Sequence, residues 1–128
     1  MSTGPLVSCI IVNYNTVDET TRFLDSLHRE TESIHAEIIV VDNGSRDDSV
    51  NALRNRFPTA QVVAAQRNLG FAKAVNLAAR RARGEYLLLL NPDMVALAGS
   101  VDALLDFAQS NPQYSIYGGR TVRSDGTL

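Results

Sequence analysis

The chain lacks the sequence features typical of disulfide-bonded secreted proteins, of zinc sites built from cysteines and of membrane proteins. Among its 128 residues there is one cysteine, Cys9, and no tryptophan. One cysteine excludes an internal disulfide and a zinc site built from cysteines, and inside an apolar run it predicts a buried, unreactive thiol. The longest apolar runs have the length of a strand, which argues against a transmembrane helix. No basic segment precedes an apolar signal core, so we expect a cytoplasmic protein.

An excess of either charge is also missing. The chain has 12 basic and 14 acidic residues, for a net charge of −2. This balance disfavours nucleic acid or an anionic membrane as a partner. With 45% hydrophobic residues, only 4 prolines and 8 glycines, the composition is that of a globular protein. The length predicts one domain over residues 1–128.

Short apolar runs alternate with helical patterns along the chain. Strands are predicted at residues 6–12, 38–41, 62–65 and 86–90, with a weaker fifth at 115–118. Each helix between them has apolar residues on one face, and Phe71 is placed on the inner face of the third. Repeated β-α units favour right-handed crossovers. The predicted fold class is therefore α/β, with a mostly parallel sheet and helices on both faces.

The most informative segment is the apolar run 86–90 followed by Asn91, Pro92 and Asp93. Such a run predicts a strand buried on both faces in the middle of a parallel sheet, which Pro92 ends. Asp93 then lies at the carboxyl edge of the sheet, where open α/β sheets bind ligands. A carboxylate there suits a divalent cation that carries phosphates. The alternative is that Asp93 only starts a turn or caps the next helix.

Polar side chains of short reach follow each of the four strands. The four loops are Asn13-Tyr14-Asn15, Asp42-Asn43-Gly44-Ser45, Arg67-Asn68-Leu69-Gly70 and Asn91-Pro92-Asp93. An Asp with Asn, Tyr and Arg around a crevice suits a nucleotide. Neither Gly-x-Gly-x-x-Gly after the first strand nor Gly-Lys-Ser/Thr occurs, which disfavours a dinucleotide site and a P-loop. Turn formation at 42–45, rim packing of Tyr14 and a merely solvated Arg67 remain alternatives.

The C-terminal end suggests an incomplete domain. Asp125-Gly126 is a strong hairpin-turn signal, yet the sequence ends at Leu128, before a returning strand could form. We therefore expect the front part of a longer protein. His28 and His35 lack a third ligand and are expected at the surface rather than at a metal.

Taken together, the four loops with their strands resemble family 2 glycosyltransferases of the GT-A fold, which is Rossmann-like. The blocks that carry the likeness are residues 7–15, 39–45, 68–72 with Asn76, and 90–93. The Asn-Pro-Asp form is similar to the branch of rhamnosyl- and galactofuranosyltransferases. The resemblance covers the nucleotide-sugar-binding, N-terminal part of such a domain, and the acceptor-binding half is absent, so the domain looks truncated.

This resemblance implies a site for a UDP- or dTDP-linked sugar donor. Tyr14, beside Asn13 and Asn15, matches the residue that flanks the base. Asp42, beside Asn43, matches the carboxylate that accepts a hydrogen bond from a uracil or thymine imide.

The resemblance also implies a phosphate and metal side. Arg67 and Asn68 match positions near the donor diphosphate. Asn91 and Asp93 occupy the Asp-x-Asp motif, in which Asp93 would bind Mg²⁺ or Mn²⁺. Asn91 replaces the first Asp of that motif, so the affinity for the metal is expected to be lower.

Inverting transfer to an acceptor hydroxyl also needs a catalytic base. The family supplies it after the Asp-x-Asp motif, and no candidate for it occurs in this chain, so no catalytic residue is assigned. The expected function is donor binding for transfer to a glycan or lipid-linked acceptor, without nucleic acid as a partner. Uncovered apolar sheet predicts a homodimer through the C-terminal region. The alternative is a non-catalytic GT-A-like scaffold or interaction module.

Overall fold

Four parallel strands form one sheet with the order β3-β2-β1-β4. The computed structural model describes residues 3–128. The strands are β1 (Val7–Asn13), β2 (Ala36–Asp42), β3 (Gln61–Ala64) and β4 (Tyr86–Leu90). The helices are α1 (Val17–Thr31), α2 (Ser49–Arg56), α3 (Phe71–Ala79) and α4 (Ser100–Ser110). The predicted α/β class with a parallel sheet is confirmed.

The sheet has a thick core on one face and a thin one on the other. Helices α1, α2 and α4 cover the first face, where Phe23, Leu24 and Leu53 pack against alternate residues of β1 and β2. Helix α3 covers the second face through Ala74 and Ala78. Because alanine side chains are small, α3 can lie close to the sheet. Helices therefore lie on both faces, as predicted.

Strand β4 differs from the prediction of a strand buried on both faces. It is an edge strand that pairs only with β1 among the described residues 3–128. Leu87 and Leu89 are 51% and 52% exposed. They share a sheet face with Ile10, and α3 lies over β1 and β2 on that face rather than over β4. A run of leucines does not show whether a strand has a neighbouring strand on both sides, which is why the sequence suggested a central position.

Three smaller expectations need correction. Residues 115–118 form no strand, and Ile116 is 90% exposed. Phe71 begins α3 but is 58% exposed, because that helix packs through its alanines. His28 is half-buried rather than a plain surface residue, since its ring stacks on Phe57 at 5.4 Å.

The remaining local predictions agree with the structure. Cys9 is buried, and burial, followed by the nearby charge of Glu37, raises the pKa of its thiol to about 12. The predicted turn at 124–126 forms, with the Arg123 N–H donating to the Thr127 carbonyl at 2.7 Å. Within residues 3–128, no helix combines the length and the apolar character that a membrane span requires.

Candidate functional site

The carboxyl ends of β1 and β2 meet at one edge of the sheet. Asn13 and Asp42 are register partners at the last position of their strands. The N–H of Asn43 donates to the Asn13 carbonyl at 2.8 Å, and the N–H of Ala65 donates to the Asp42 carbonyl at 2.9 Å. The loops after β1, β2 and β3 are thereby brought side by side.

A buried polar cluster lies beneath these loops. Asn13 and Thr20 are fully buried, and Asp42 is 2% exposed. The Asn13 Nδ2 donates to Asp42 Oδ1 at 2.8 Å, and the Thr20 hydroxyl donates to Asn13 Oδ1 at 2.6 Å. The amide of Asn13 therefore forms its hydrogen bonds within the protein, and Asn13 has no exposed surface for direct contact with a ligand. Buried polar groups of this kind are costly unless hydrogen-bonded, and each member of this cluster has a partner within the protein.

Ser45 fixes the other side of the Asp42 carboxylate. Its hydroxyl donates to Asp42 Oδ1 at 2.6 Å and its backbone N–H to Oδ2 at 3.0 Å. The Asn15 N–H donates back to the Ser45 hydroxyl at 2.9 Å, and Asn15 itself has a positive φ of 53°. The Asn15 side chain accepts from the Arg46 N–H at 2.8 Å, which ties the first two loops together.

Asn43 connects the second loop to the third. It is 3% exposed, and its Nδ2 donates to Asn68 Oδ1 at 3.1 Å while its Oδ1 accepts from the Leu69 N–H at 2.8 Å. Asn68 is exposed, but its Oδ1 also accepts from the Gly70 N–H at 2.8 Å. Asn43 therefore holds the two loops together from inside. The Oδ1 of Asn68 is used in these bonds, and its Nδ2 takes no part in them.

Tyr14 and Arg67 are the exposed large side chains of the loops that follow β1 and β3. Tyr14 is 42% exposed, and Arg67 is exposed as well. Each is carried by a loop whose backbone is fixed by the contacts above. A ring and a guanidinium with free surface can stack on a planar ligand and contact an anion.

The loop after β4 carries the candidate metal ligand. Asn91 and Asp93 are exposed. Asp93 lines a shallow cavity of about 210 Å³ between this loop and α1, together with Glu19 and Arg22 of that helix. Within residues 3–128 no group of three or more His, Cys, Asp or Glu side chains could hold a metal ion. A single carboxylate still fits Mg²⁺ or Mn²⁺, because such ions are commonly bound by one or two carboxylates plus substrate phosphates.

The sequence patterns did not reveal the hydrogen-bonding roles of Thr20 and Ser45. Thr20 belongs to α1, outside every loop at the sheet edge, yet its hydroxyl reaches Asn13. The available signal was a threonine three residues before Phe23 on the apolar face of a helix, where a hydroxyl needs a buried partner.

Comparison with known proteins gives the family. Residues 8–128 match Glycosyl transferase family 2. The chain is 31% identical over 130 residues to an N-acetylglucosaminyl-diphospho-decaprenol L-rhamnosyltransferase of Mycobacterium tuberculosis, covering 93% of this chain and 42% of that protein.

Two solved structures share the fold. A mannosyltransferase of Pyrobaculum calidifontis, in complex with GDP-Man and Mn²⁺, superposes with a TM-score of 0.74 at 24% identity, over 84% of this chain and 33% of that one. S. aureus TarS 1–349 superposes with a TM-score of 0.68 at 27% identity, over 83% of this chain and 33% of that one. The chain spans about a third to two fifths of the length of these proteins. With the four loops on one edge of a GT-A sheet and the family match over nearly all residues, the chain belongs to glycosyl transferase family 2.

Proposed function

We propose that this chain binds the nucleotide-sugar donor, UDP- or dTDP-linked, for an inverting glycosyl transfer. The observation that carries the proposal is the Asp42 carboxylate, fixed by hydrogen bonds at the carboxyl edge of the sheet, with the exposed Tyr14 next in the chain to its register partner Asn13. A rigid acceptor beside an aromatic ring suits a base that offers an imide N–H and a flat face. Thymine and uracil both offer these groups.

The proposed roles divide the predicted residues by their exposure. Tyr14 stacks on the base, and Asp42 accepts its imide N–H. Arg67 and the exposed amide of Asn68 contact the donor near its diphosphate. The buried Asn13 and Asn43, with Asn15, hold these loops in place.

Asp93 is the proposed ligand of Mg²⁺ or Mn²⁺. When bound, the ion would neutralise charge on the diphosphate leaving group. Asn91, two residues earlier, can donate a hydrogen bond to a ribose hydroxyl but adds no charge. Support comes from the fit of one exposed carboxylate to a phosphate-bound ion and from the Mn²⁺ in the complex of the Pyrobaculum calidifontis enzyme.

The catalytic base and the acceptor site are not assigned to residues of this chain. Asp102 and Asp106 lie on α4, and Asp125 lies in the terminal turn, where it accepts from the Thr127 N–H and hydroxyl. We propose that the base and a glycan or lipid-linked acceptor site belong to the part of the relatives' length that this chain does not span, and that transfer occurs in the cytoplasm. The second candidate is a non-catalytic scaffold. The replacement of the first motif Asp by Asn91 favours it.

Calorimetric titration with UDP, with and without Mn²⁺, tests the proposal. We expect Mn²⁺ to strengthen UDP binding to the chain and Asp93→Ala to remove that gain, about ten-fold in Kd or more, because the ion then loses its protein ligand. Asp106→Ala, which removes an exposed carboxylate from α4, is the matched control and should retain the gain. Absence of UDP and dTDP binding by the folded chain would contradict donor binding and favour the scaffold.

A further inference from the structure

A chain of buried hydrogen bonds runs from helix α1 to the edge of the sheet. The Thr20 hydroxyl donates to Asn13 Oδ1 at 2.6 Å, and Asn13 Nδ2 donates to Asp42 Oδ1 at 2.8 Å. Thr16 is a second, longer donor to Asn13 Oδ1 at 3.2 Å. An ionised carboxylate only accepts, so the N–H₂ group of Asn13 faces Asp42, and the two hydroxyls hold the amide oxygen in that orientation. The relay, defined here as Thr20, Asn13 and Asp42, is thereby given one direction.

The relay and Ser45 together use most of the acceptor capacity of Asp42. An ionised carboxylate has about four lone-pair positions on its two oxygens. Oδ1 accepts from Asn13 Nδ2 and from the Ser45 hydroxyl, and Oδ2 accepts from the Ser45 N–H. A single acceptor position, on Oδ2, is left for a ligand. Asp42 is only 2% exposed, so little of the residue is open to a ligand.

We propose that Thr20 and Asn13 are positioning residues that leave Asp42 a single free acceptor site, and that this site selects uracil or thymine against guanine. The inference rests on the proposed function, because it concerns which nucleotide the same site accepts.

The selection follows from the hydrogen-bonding edges of the bases. Uracil and thymine present one ring N–H between two carbonyl oxygens, which matches one free lone pair. Guanine presents two adjacent N–H donors, and a carboxylate satisfies both only when each oxygen has a free position. Here Oδ1 is full, so one guanine donor would be desolvated without a partner, which is costly. Cytosine has an acceptor nitrogen in place of the ring N–H. Two acceptors, this nitrogen and the carboxylate oxygen, would then face each other and repel.

Thr20→Val tests the positioning role. The change keeps the shape of the side chain but removes the shorter of the two hydroxyl donors to Asn13 Oδ1, so the amide is held less firmly. Its bond to Asp42 Oδ1 can then loosen, which frees a second acceptor position for a ligand. We expect UDP to bind wild type about ten-fold or more tightly than GDP or CDP in the presence of Mn²⁺. We expect Thr20→Val to lower this UDP preference several-fold, and Thr20→Ser, which keeps the hydroxyl, to retain it.

Thr31→Val is the matched control. Thr31 is also a buried threonine of α1, but its hydroxyl donates to the Leu27 carbonyl of its own helix at 2.8 Å. Its loss should lower the free energy of unfolding, measured by urea titration, without changing the ratio of UDP to GDP affinity. A merely structural role for Thr20 would give the same result as Thr31→Val.

The outcomes separate the two proposals. If wild type binds UDP and GDP equally, or if Thr20→Val folds and keeps the wild-type preference, the relay does not select the base, while donor binding stands. If wild type binds no nucleotide, the proposed function itself fails. If Thr20→Val does not fold, the UDP preference is measured in Thr20→Ser and Thr16→Val instead. Thr16→Val is expected to reduce the preference less than two-fold, because the Thr16 hydrogen bond to Asn13 is the longer one.

Discussion

Gly44 is the residue at which the loops after β2 and β3 come closest. Its φ is +80°, and a Cβ added there would lie 2.6 Å from the backbone carbonyl carbon of Arg67. That distance is far below any real contact, so the two loops approach each other only because this position lacks a side chain. Gly99 has a similar φ of +74°, but an added Cβ there would meet nothing within 4 Å.

We therefore expect Gly44→Ala to be much more destabilising than Gly99→Ala. In the control variant Gly99→Ala, only backbone strain lowers the free energy of unfolding, by about 1–2 kcal/mol. Gly44→Ala adds a collision that costs about 1–3 kcal/mol more and separates Asp42 from the Arg67 loop. Urea denaturation gives both values, and UDP titration should show weaker binding for Gly44→Ala alone. Equal losses in the two variants would mean that the loops part without cost.

At this scale, the sequence predicted which side chains lie at the sheet edge but not which of them face outward. Asn13, Tyr14 and Asn15 are adjacent in the chain, yet the first is buried, the second is 42% exposed and the third is tied to the Arg46 N–H. Exposure at a loop depends on φ and on the neighbouring loops, which no spacing rule encodes. Thr20 was missed for the same reason, because its partner lies on another element.

At the scale of elements, Glu37 of β2 fastens the opposite edge of the sheet. Its Oε1 accepts from the Ser8 hydroxyl of β1 and from the Arg83 N–H, both at 2.6 Å, and its Oε2 lies 3.3 Å from the Arg83 Nε. The Gly84 N–H donates in turn to the Ser8 hydroxyl at 2.8 Å. The turn that leads into β4 is thereby attached to both central strands.

We expect this attachment to make stability depend on pH on the acid side. Burial alone would raise the pKa of Glu37, but the hydrogen bonds from Ser8 and Arg83 and the charge of Arg83 outweigh it, so the pKa lies below its ordinary value of 4.5. A lowered pKa means that ionised Glu37 stabilises the fold above that ordinary value and that the contribution is lost as pH falls through the folded-state pKa.

Glu37→Gln should accordingly be less stable than wild type at pH 7, by about 1–2 kcal/mol, and the difference should shrink toward pH 3. Urea titrations at the two pH values measure it. Glu85→Gln, at an exposed position two residues past Arg83, is the control and should show little difference at either pH. A constant deficit for Glu37→Gln across pH would indicate that packing, not charge, stabilises this corner.

Strands and helices were predicted well because buried parallel strands and one-sided helices leave strong patterns. Residues 86–90 match β4 at both ends, and the predicted 38–41 lies inside β2. The fifth strand failed because residues 115–118 have apolar character but no partner strand in the described chain. A short apolar run predicts a strand only where another strand is available to pair with it.

At the scale of the whole molecule, the open side of β4 is the main apolar surface of the sheet. Leu87 and Leu89 are half exposed there, beside a strand edge that pairs with no other strand of residues 3–128. Such edges and patches promote association. The homodimer expected from the sequence remains a prediction, and β4 is a second surface that could form it besides the C-terminal region.

Light scattering at increasing concentration tests this expectation. We expect a mass above the monomer value of 13.9 kDa, and we expect Leu89→Lys to restore the monomer by placing a charge on the open face. Ile116→Lys, at a 90% exposed position in the C-terminal region, should leave association unchanged. The reverse order of effects would place the interface in the C-terminal region, and a monomer at all concentrations would rule out both.

The Asn13–Asp42 pair has a consequence for folding as well as for ligand binding. Strands β1 and β2 are buried almost continuously, so the alternation of inward and outward residues that usually fixes strand pairing is nearly absent. A slip of one residue between these strands would still pair apolar with apolar along most of their length. It would, however, set Val12 beside Asp42 and leave a carboxylate without its amide in the protein interior. Asp42, which we propose reads the nucleotide, and its positioning partner Asn13 therefore also select the single alignment in which the two central strands can pair.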